Sequence, residues 1–463
     1  REELESRVWA AGRAVRALFG MPTAGSLFDT VVSGGYCVGC GACAYVAGNG
    51  IRMNLDAFGR LQAVKNHDGG ERAPARVCPF SAEALDEDAL AEEFLGATPE
   101  RCGEIGRYRS LYAAHVRDPE GRARGSSGGV ATWVLSRLLE SGEVDGVLHV
   151  RPREATAEDK RLFAYAVSRS VEELRAGAKS HYYPVEMSEV LRTVAETPGR
   201  YAVAGLPCFI KAVRLLMRED AVLAERVVCC IGLVCGGLKS AAYAECLAWQ
   251  CGVVPGALRR LDFRVKLDGR RADDYGFEAN GAVAPVRGLL GADWGLNFFS
   301  YGACDFCDDV FAETADLSIG DAWLRRYARD GLGTNLLVLR GEGMERLINE
   351  GVRTGALATT ALTEKEAVRS QGGGLFNRRS ALAWRLYRAE RAGRWHPPKR
   401  VRSDARALGR RERRKHLLRS LLGMKSGMAF RRAAEAGNFE AFRREMAPWV
   451  ARYGAVARPW WRL

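Results

Sequence analysis

The period of hydrophobic positions changes several times along this chain. Near the N-terminus Val8, Val15, Leu18 and Phe19 recur at helical spacing, which predicts a helical lead-in. Between about Tyr108 and Gly374, short apolar runs such as Gly146-Val147-Leu148-His149-Val150 and Tyr201-Ala202-Val203-Ala204 read as strands and alternate with amphipathic helices. That alternation predicts an α/β core, within a mixed α+β whole. Beyond it lies an arginine-rich stretch, punctuated by Pro397-Pro398 and patterned as helix on either side. No internal repeat or low-complexity tract stands out.

Two sets of cysteines interrupt this pattern. The first opens with Cys37-Val38-Gly39-Cys40-Gly41-Ala42-Cys43 and is completed by Cys78, which Pro79 follows. A C-x2-C-x2-C run with a distant Cys-Pro is the ferredoxin arrangement for a 4Fe-4S cluster. The usual fourth cysteine, four residues after the third, is replaced by Ala47, so Cys78 is expected to close the same cluster. The second set is dispersed: Cys208, Cys235, and the C-x2-C pair Cys304 and Cys307. On spacing alone it suits either a second iron-sulfur cluster or zinc. The remaining cysteines, Cys102, Cys229, Cys230, Cys246 and Cys251, are assigned to packing, with Cys102 the one nearest to being an exception.

Composition narrows the class. At 463 residues the chain can hold two or three domains. No apolar run reaches the roughly 18 residues of a membrane span, and no signal-peptide pattern is visible. Thirteen cysteines are too sparse here for a disulfide scaffold, which favours a reducing, cytoplasmic setting. A net charge of +13 suits an acidic partner such as ferredoxin, or an anionic membrane surface met by the basic C-terminal segment with Arg410–Lys415 and Trp460-Trp461. No nucleic-acid-binding module is recognisable, and homo-oligomerisation is compatible with the sequence.

At the start of the α/β core, Gly125-Ser126-Ser127-Gly128-Gly129-Val130-Ala131-Thr132 leads into a helical stretch over Trp133 to Ser141. Glycines and hydroxyls at a helix start leave amides free for an anion, such as the phosphate of a flavin or nucleotide, or form a plain capped turn.

Taken in order, CVGCGAC with its later CP, SSGGVATWVLSRLLESGEVDGVL, GLPCFIKAVRLL, IGLVCGGLKS, DFRVK, CDFC and ADLSIGDAW resemble the family of coenzyme F-420 hydrogenase and dehydrogenase beta subunits, which includes ferredoxin-dependent reductases of chlorophyll intermediates. The resemblance covers roughly residues 30 to 340. It implies a 4Fe-4S cluster on Cys208, Cys235, Cys304 and Cys307, and FAD against Ser126, Ser127, Gly128, Gly129 and Thr132, with Gly320, Asp321, Thr334 and Asn335 drawn towards it. Lys179 stands where the family has a basic loop beside the flavin, and the neighbouring His181 and Tyr182 are the candidate proton donors.

The expected organisation is therefore a helical lead-in (1–30), a ferredoxin-like 4Fe-4S segment (31–105), an α/β core with FAD and a second 4Fe-4S cluster (106–375), and a basic helical extension (376–463). The expected function is a FAD-dependent iron-sulfur oxidoreductase taking electrons from ferredoxin to a small-molecule substrate. Its alternatives are a non-catalytic electron-transfer subunit, or a redox enzyme of surface-polysaccharide formation.

Overall fold

The computed structural model describes residues 26–66, 72–96, 98–154, 156 and 159–457. The helical positions Val8 to Phe19 and the pair Trp460-Trp461 lie outside them.

A mixed eight-stranded sheet forms the centre. Its strands are β1 (Ser110–Val116), β2 (Gly146–Pro152), β3 (Phe163–Ser168), β4 (Tyr201–Gly205), β5 (Val227–Leu233), β6 (Leu317–Asp321), β7 (Asn335–Leu339) and β8 (Leu357–Ala361), in the spatial order β8-β1-β7-β6-β5-β4-β2-β3. Neighbours β2, β4, β5 and β6 run parallel, and the outer pairings are antiparallel. The alternation of strands and helices thus produces the mixed α/β fold that it predicts. β7 is buried at every position, because apolar elements cover both faces of the sheet and leave no polar side for its Leu-Leu-Val-Leu run.

Helix α1 (Val130–Glu140) packs Val134 and Leu138 against Val147, Ile231 and Leu337 on one face. Helix α2 (Pro207–Glu219) packs Phe209, Ile210 and Val213 on the other, and its proline sits in the first turn, where a missing N–H costs nothing. α1 starts three residues before the predicted Trp133. Gly129, at φ +82°, turns the chain directly into it.

The first cysteine segment forms a small unit beside this core, with an antiparallel hairpin of Ile51–Leu55 and Leu61–Lys65. After the sheet come α3 (Gly372–Arg378), α4 (Ser380–Arg391), α5 (Arg410–Glu435) and α6 (Phe439–Gly454). The expected junction between residues 375 and 376 falls inside α3, so the arginine-rich extension grows out of the core without a linker. α5 and α6 join through Phe430 and Phe442, whose rings meet edge to face at 5.8 Å, and Phe299 of the core packs on both. No helix among the described residues is long and apolar enough to cross a membrane.

Candidate functional site

Parallel strands β4, β5 and β6 end on the same edge of the sheet, the edge at which α/β folds place their ligands. Cys208 follows β4 at the start of α2, and Cys235 follows β5 by two residues. Cys304 lies in a single helical turn over Gly302–Phe306, and Cys307 follows that turn directly. All four line one small cavity with Val38, Phe80, Pro207, Leu238 and Arg378. Leu238 N–H donates to the Cys304 sulfur at 3.1 Å. Burial pushes the Cys208 thiol well up, and the other three cysteines raise it further. Such a site holds four thiolates only when something cationic binds them.

Cys37, Cys40, Cys43 and Cys78 also converge. Burial raises the Cys40 and Cys43 thiols, and each feels Cys37 and Cys78. Cys78 is pushed up to about 12, by burial first and by Cys37 in part. The loop is shaped by glycines: Gly39 and Gly41 lie at φ +73° and +84°. A Cβ on Gly41 would stand 2.3 Å from Glu186 Oε2, and one on Gly39 would stand 2.6 Å from the Leu61 carbonyl. Met187 N–H donates to the Cys40 carbonyl at 2.9 Å, tying the loop to the core.

The two quartets are neighbours. Val38, inside the first motif, lines the cavity of the second, and Cys40 acts electrostatically on Cys208. Tyr165 is half-buried and acts with both Cys40 and Cys208, its hydroxyl donating to the Ala204 carbonyl at 3.0 Å.

The glycine-rich turn lies near the same edge. Gly128 is packed so closely that a Cβ would sit 2.8 Å from both the Ala114 carbonyl and Asn335 Oδ1. Ser127 Oγ donates to the Thr334 carbonyl at 3.3 Å, and Ser126 Oγ accepts Ser180 N–H at 2.8 Å. Asn335 Oδ1 accepts Val130 N–H at 3.1 Å, while its Nδ2 donates to the Gly320 carbonyl at 3.2 Å. Part of the turn's hydrogen-bonding capacity is thus already used within the protein. Thr132 is half-buried on the first turn of α1. Gly320 abuts Val234, the residue before Cys235, which connects this region to the second quartet.

Lys179 pairs with Asp262 at 2.9 Å, and Asp321 pairs with the buried Arg264 at 2.7 Å. Among the described residues, Arg264 Nε has no hydrogen-bond partner. Lys266 Nζ donates to the Arg122 and Leu332 carbonyls, and burial first, then Arg122, Lys179 and Arg264, lower its pKa to about 8. Lys179, Arg264 and Lys266 thus lie in the region of the serine-glycine turn, the first two each paired with a carboxylate. The DFRVK motif carries Asp262, Arg264 and Lys266, yet the sequence alone attaches no role to them.

His181 stacks on Phe163 at 4.3 Å, with Nε2 3.4 Å from the Gly177 carbonyl. Burial lowers its pKa to about 4, so the ring is neutral near pH 7. Tyr182 is wedged edge-on against Trp294 at 5.0 Å, and burial raises its pKa. Both are partly buried and pack against aromatic neighbours.

Cys102 stands outside both quartets, its sulfur 3.4 Å from Glu104 Oε2. Cys229, Cys230 and Cys246 are buried in the core. Among the described residues, no group of three or more His, Cys, Asp and Glu side chains closes around a single metal ion.

Comparison with known proteins finds a family for the chain. The family descriptions "Coenzyme F420 hydrogenase/dehydrogenase, beta subunit" match residues 111–192 with the N-terminal part and 199–365 with the C-terminal part. The chain belongs to this family. The matched stretches hold the serine-glycine turn and the second quartet, whereas the first quartet and Arg378 lie outside them. Among its F420-linked relatives, the chain is 29% identical over 339 residues to a coenzyme F420-dependent sulfite reductase of Methanocaldococcus jannaschii, covering 69% of this chain and 47% of that protein. It therefore spans about half of that relative's length. It is 24% identical over 325 residues to a subunit of the F(420)H(2) dehydrogenase of Methanosarcina mazei, covering 68% and 85% of the two chains. A chain of the F420-reducing [NiFe] hydrogenase complex from Methanosarcina barkeri aligns with a TM-score of 0.49 at 15% identity, over 66% of this chain and 99% of that one. These relatives are named for redox reactions, as a sulfite reductase, a dehydrogenase subunit and a hydrogenase complex.

Proposed function

We propose that this F420 beta-subunit relative is an iron-sulfur flavoprotein that moves electrons from an acidic one-electron donor, such as ferredoxin, to a small-molecule substrate. The observation that carries the reading is the meeting of Cys208, Cys235, Cys304 and Cys307 in one cavity, next to the first quartet on one side and the serine-glycine turn on the other. Two 4Fe-4S clusters and FAD, when bound, supply one-electron steps and their conversion into a two-electron reduction. The residues fit these groups. Four cysteines around one cavity match the thiolate set that caps a 4Fe-4S cube.

Cys37, Cys40, Cys43 and Cys78 would hold the first cluster, and the other quartet the second. Ser126, Ser127, Gly128, Gly129 and Thr132 would line the flavin, with Lys266, held by the Arg122 and Leu332 carbonyls, as the positive charge beside them. Asn335 holds the turn to Gly320 and so fixes the distance between flavin region and second quartet. Tyr182 and Trp294 exclude water from the side facing Arg264. A second reading, that the chain is an electron-transfer subunit of a larger complex, is favoured by relatives described as subunits.

Anaerobic purification with iron, acid-labile sulfide and flavin analysis tests the proposal. About eight irons and one FAD per chain are expected from the two quartets. About four irons with one zinc would sink the two-cluster reading, and a co-purifying partner at fixed stoichiometry would select the subunit alternative.

A further inference from the structure

The arginine-rich extension sends part of its charge inward. Arg385 of α4 donates to the Asp305 carbonyl at 2.6 Å, and Ser420 of α5 donates to Asp305 Oδ2 at 2.7 Å. Arg379 donates to the Asp308 carbonyl, while Arg400 pairs with Glu313 at 2.6 Å. Together these groups clamp the loop that carries Cys304 and Cys307. Arg378, the last residue of α3, goes farther. It is 2% exposed, lines the cavity of the second quartet, and places Nη2 3.1 Å from the Cys235 carbonyl and 3.7 Å from the Cys235 sulfur.

Its partners set Arg378 apart. Cations nearest the first quartet are already neutralised, since Arg60 pairs with Asp56 at 2.7 Å and Lys211 with Glu87 at 3.1 Å. Lys399, which acts on Cys307, pairs with Asp308 at 3.5 Å. Arg378 has no carboxylate within ion-pair distance among the described residues. A buried guanidinium without a counter-charge is strongly destabilising. The anions around it are the thiolates of Cys307, Cys235 and Cys304 first and the Asp309 carboxylate after them, and only the thiolates share its cavity, with the Cys235 sulfur 3.7 Å away.

Building on the two-cluster reading, we propose that Arg378 is a positioning and tuning residue, a fixed positive charge from the C-terminal extension that raises the reduction potential of the second cluster above that of the first. Thiolate-ligated cubes are anionic and gain one more negative charge on reduction, so a nearby unpaired cation favours the reduced form. Electrons entering at the first quartet then run downhill to the second, and from there to the flavin region beyond Val234 and Gly320. The extension is in this sense part of the electron path.

The experiment is an EPR-monitored potentiometric titration of the anaerobically purified, full-length holoprotein and of Arg378→Gln and Arg378→Lys. Wild type should reduce its second cluster at the higher potential. In Arg378→Gln the reduced-to-oxidised ratio of that cluster, at fixed solution potential, should fall about tenfold, equivalent to about 59 mV for one electron. The first cluster should not move, and Arg378→Lys should recover much of the shift. Equal potentials of the second cluster in wild type and Arg378→Gln would overturn the proposal. So would loss of the second cluster from both variants with the first retained, because Arg378 would then serve assembly and not potential. A wild-type protein without a second cluster would instead refute the two-cluster reading, and this inference with it.

Discussion

The two quartets reach similar ends by opposite routes. In the first, three cysteines share seven residues, glycines at positive φ bend the run, and Cys78 closes it from a short distance along the chain. In the second, three separate segments meet at a sheet edge, and a fourth, α3, adds a charge. The local site depends on backbone conformation. The dispersed site depends on tertiary structure, so its properties respond to residues remote in sequence.

Removing one ligand from each should separate them most strongly. Cys40→Ala is expected to lose about half of the iron and keep the flavin, whereas Cys307→Ala should lose the other half and weaken flavin retention as well. Iron, sulfide and flavin analysis of the two variants reads this out. Flavin lost from Cys40→Ala and kept by Cys307→Ala would reverse the assignment.

A smaller effect probes the backbone that distinguishes the first site. Gly41→Ala adds a Cβ 2.3 Å from Glu186 Oε2 at a left-handed φ, while Gly48→Ala meets open space at φ +54°. The strain alone costs about 1–2 kcal/mol at each position, and the clash adds to it only at Gly41. Urea denaturation should therefore place Gly41→Ala clearly below Gly48→Ala, with first-cluster iron lost only from the former. Equal midpoints would show that the loop tolerates the contact.

The smallest effect concerns the cover over the second site. His416 of α5 is 4% exposed and rests on Phe376 at 5.8 Å, and burial first, then Arg385, Lys415 and Arg419, depress its pKa to about 2, against Glu412 Oε2 3.8 Å away. A folded pKa below the unfolded value of about 6.5 makes the contribution of the neutral ring complete above that pH. It is lost as pH falls below about 6.5, at up to about 1.4 kcal/mol per unit. Thermal melting should weaken between pH 6.5 and 5, and His416→Phe should flatten that dependence. An identical slope in the variant would assign the acid sensitivity elsewhere.

Much of this was readable in the chain, for reasons that differ by site. The first quartet is legible because its geometry is local: spacing and glycines specify the turn. Strands such as Tyr201–Gly205 are legible because covered parallel strands are apolar throughout. The second quartet is ambiguous between zinc and iron-sulfur on spacing, since the segments that join it are fixed by the sheet order, and family resemblance was needed to group them. Arg378 and Arg264 escaped altogether. An arginine in a basic, helical stretch looks solvated, and periodicity cannot tell that Arg378 points into a cavity made by residues more than seventy positions away. His181 and Tyr182 drew attention by their chemistry, whereas packing against Phe163 and Trp294 governs both.

The order of these pieces along the chain also orders them in time. The contacts that tie down the first quartet's loop, Met187 N–H on the Cys40 carbonyl and Glu186 beside Gly41, are available once residue 187 has left the ribosome. The second quartet waits for Cys307, and its cover for α3 and α5, more than two hundred residues later for the last of them. At roughly 5–20 residues per second, synthesis would leave about ten seconds or more between residue 187 and the completed cover, with the apolar surface around Phe299 bare from its own emergence until α5 and α6 follow. On the two-cluster reading, the nascent chain would have the loop of its first cluster tied down before the ligands of its second are complete.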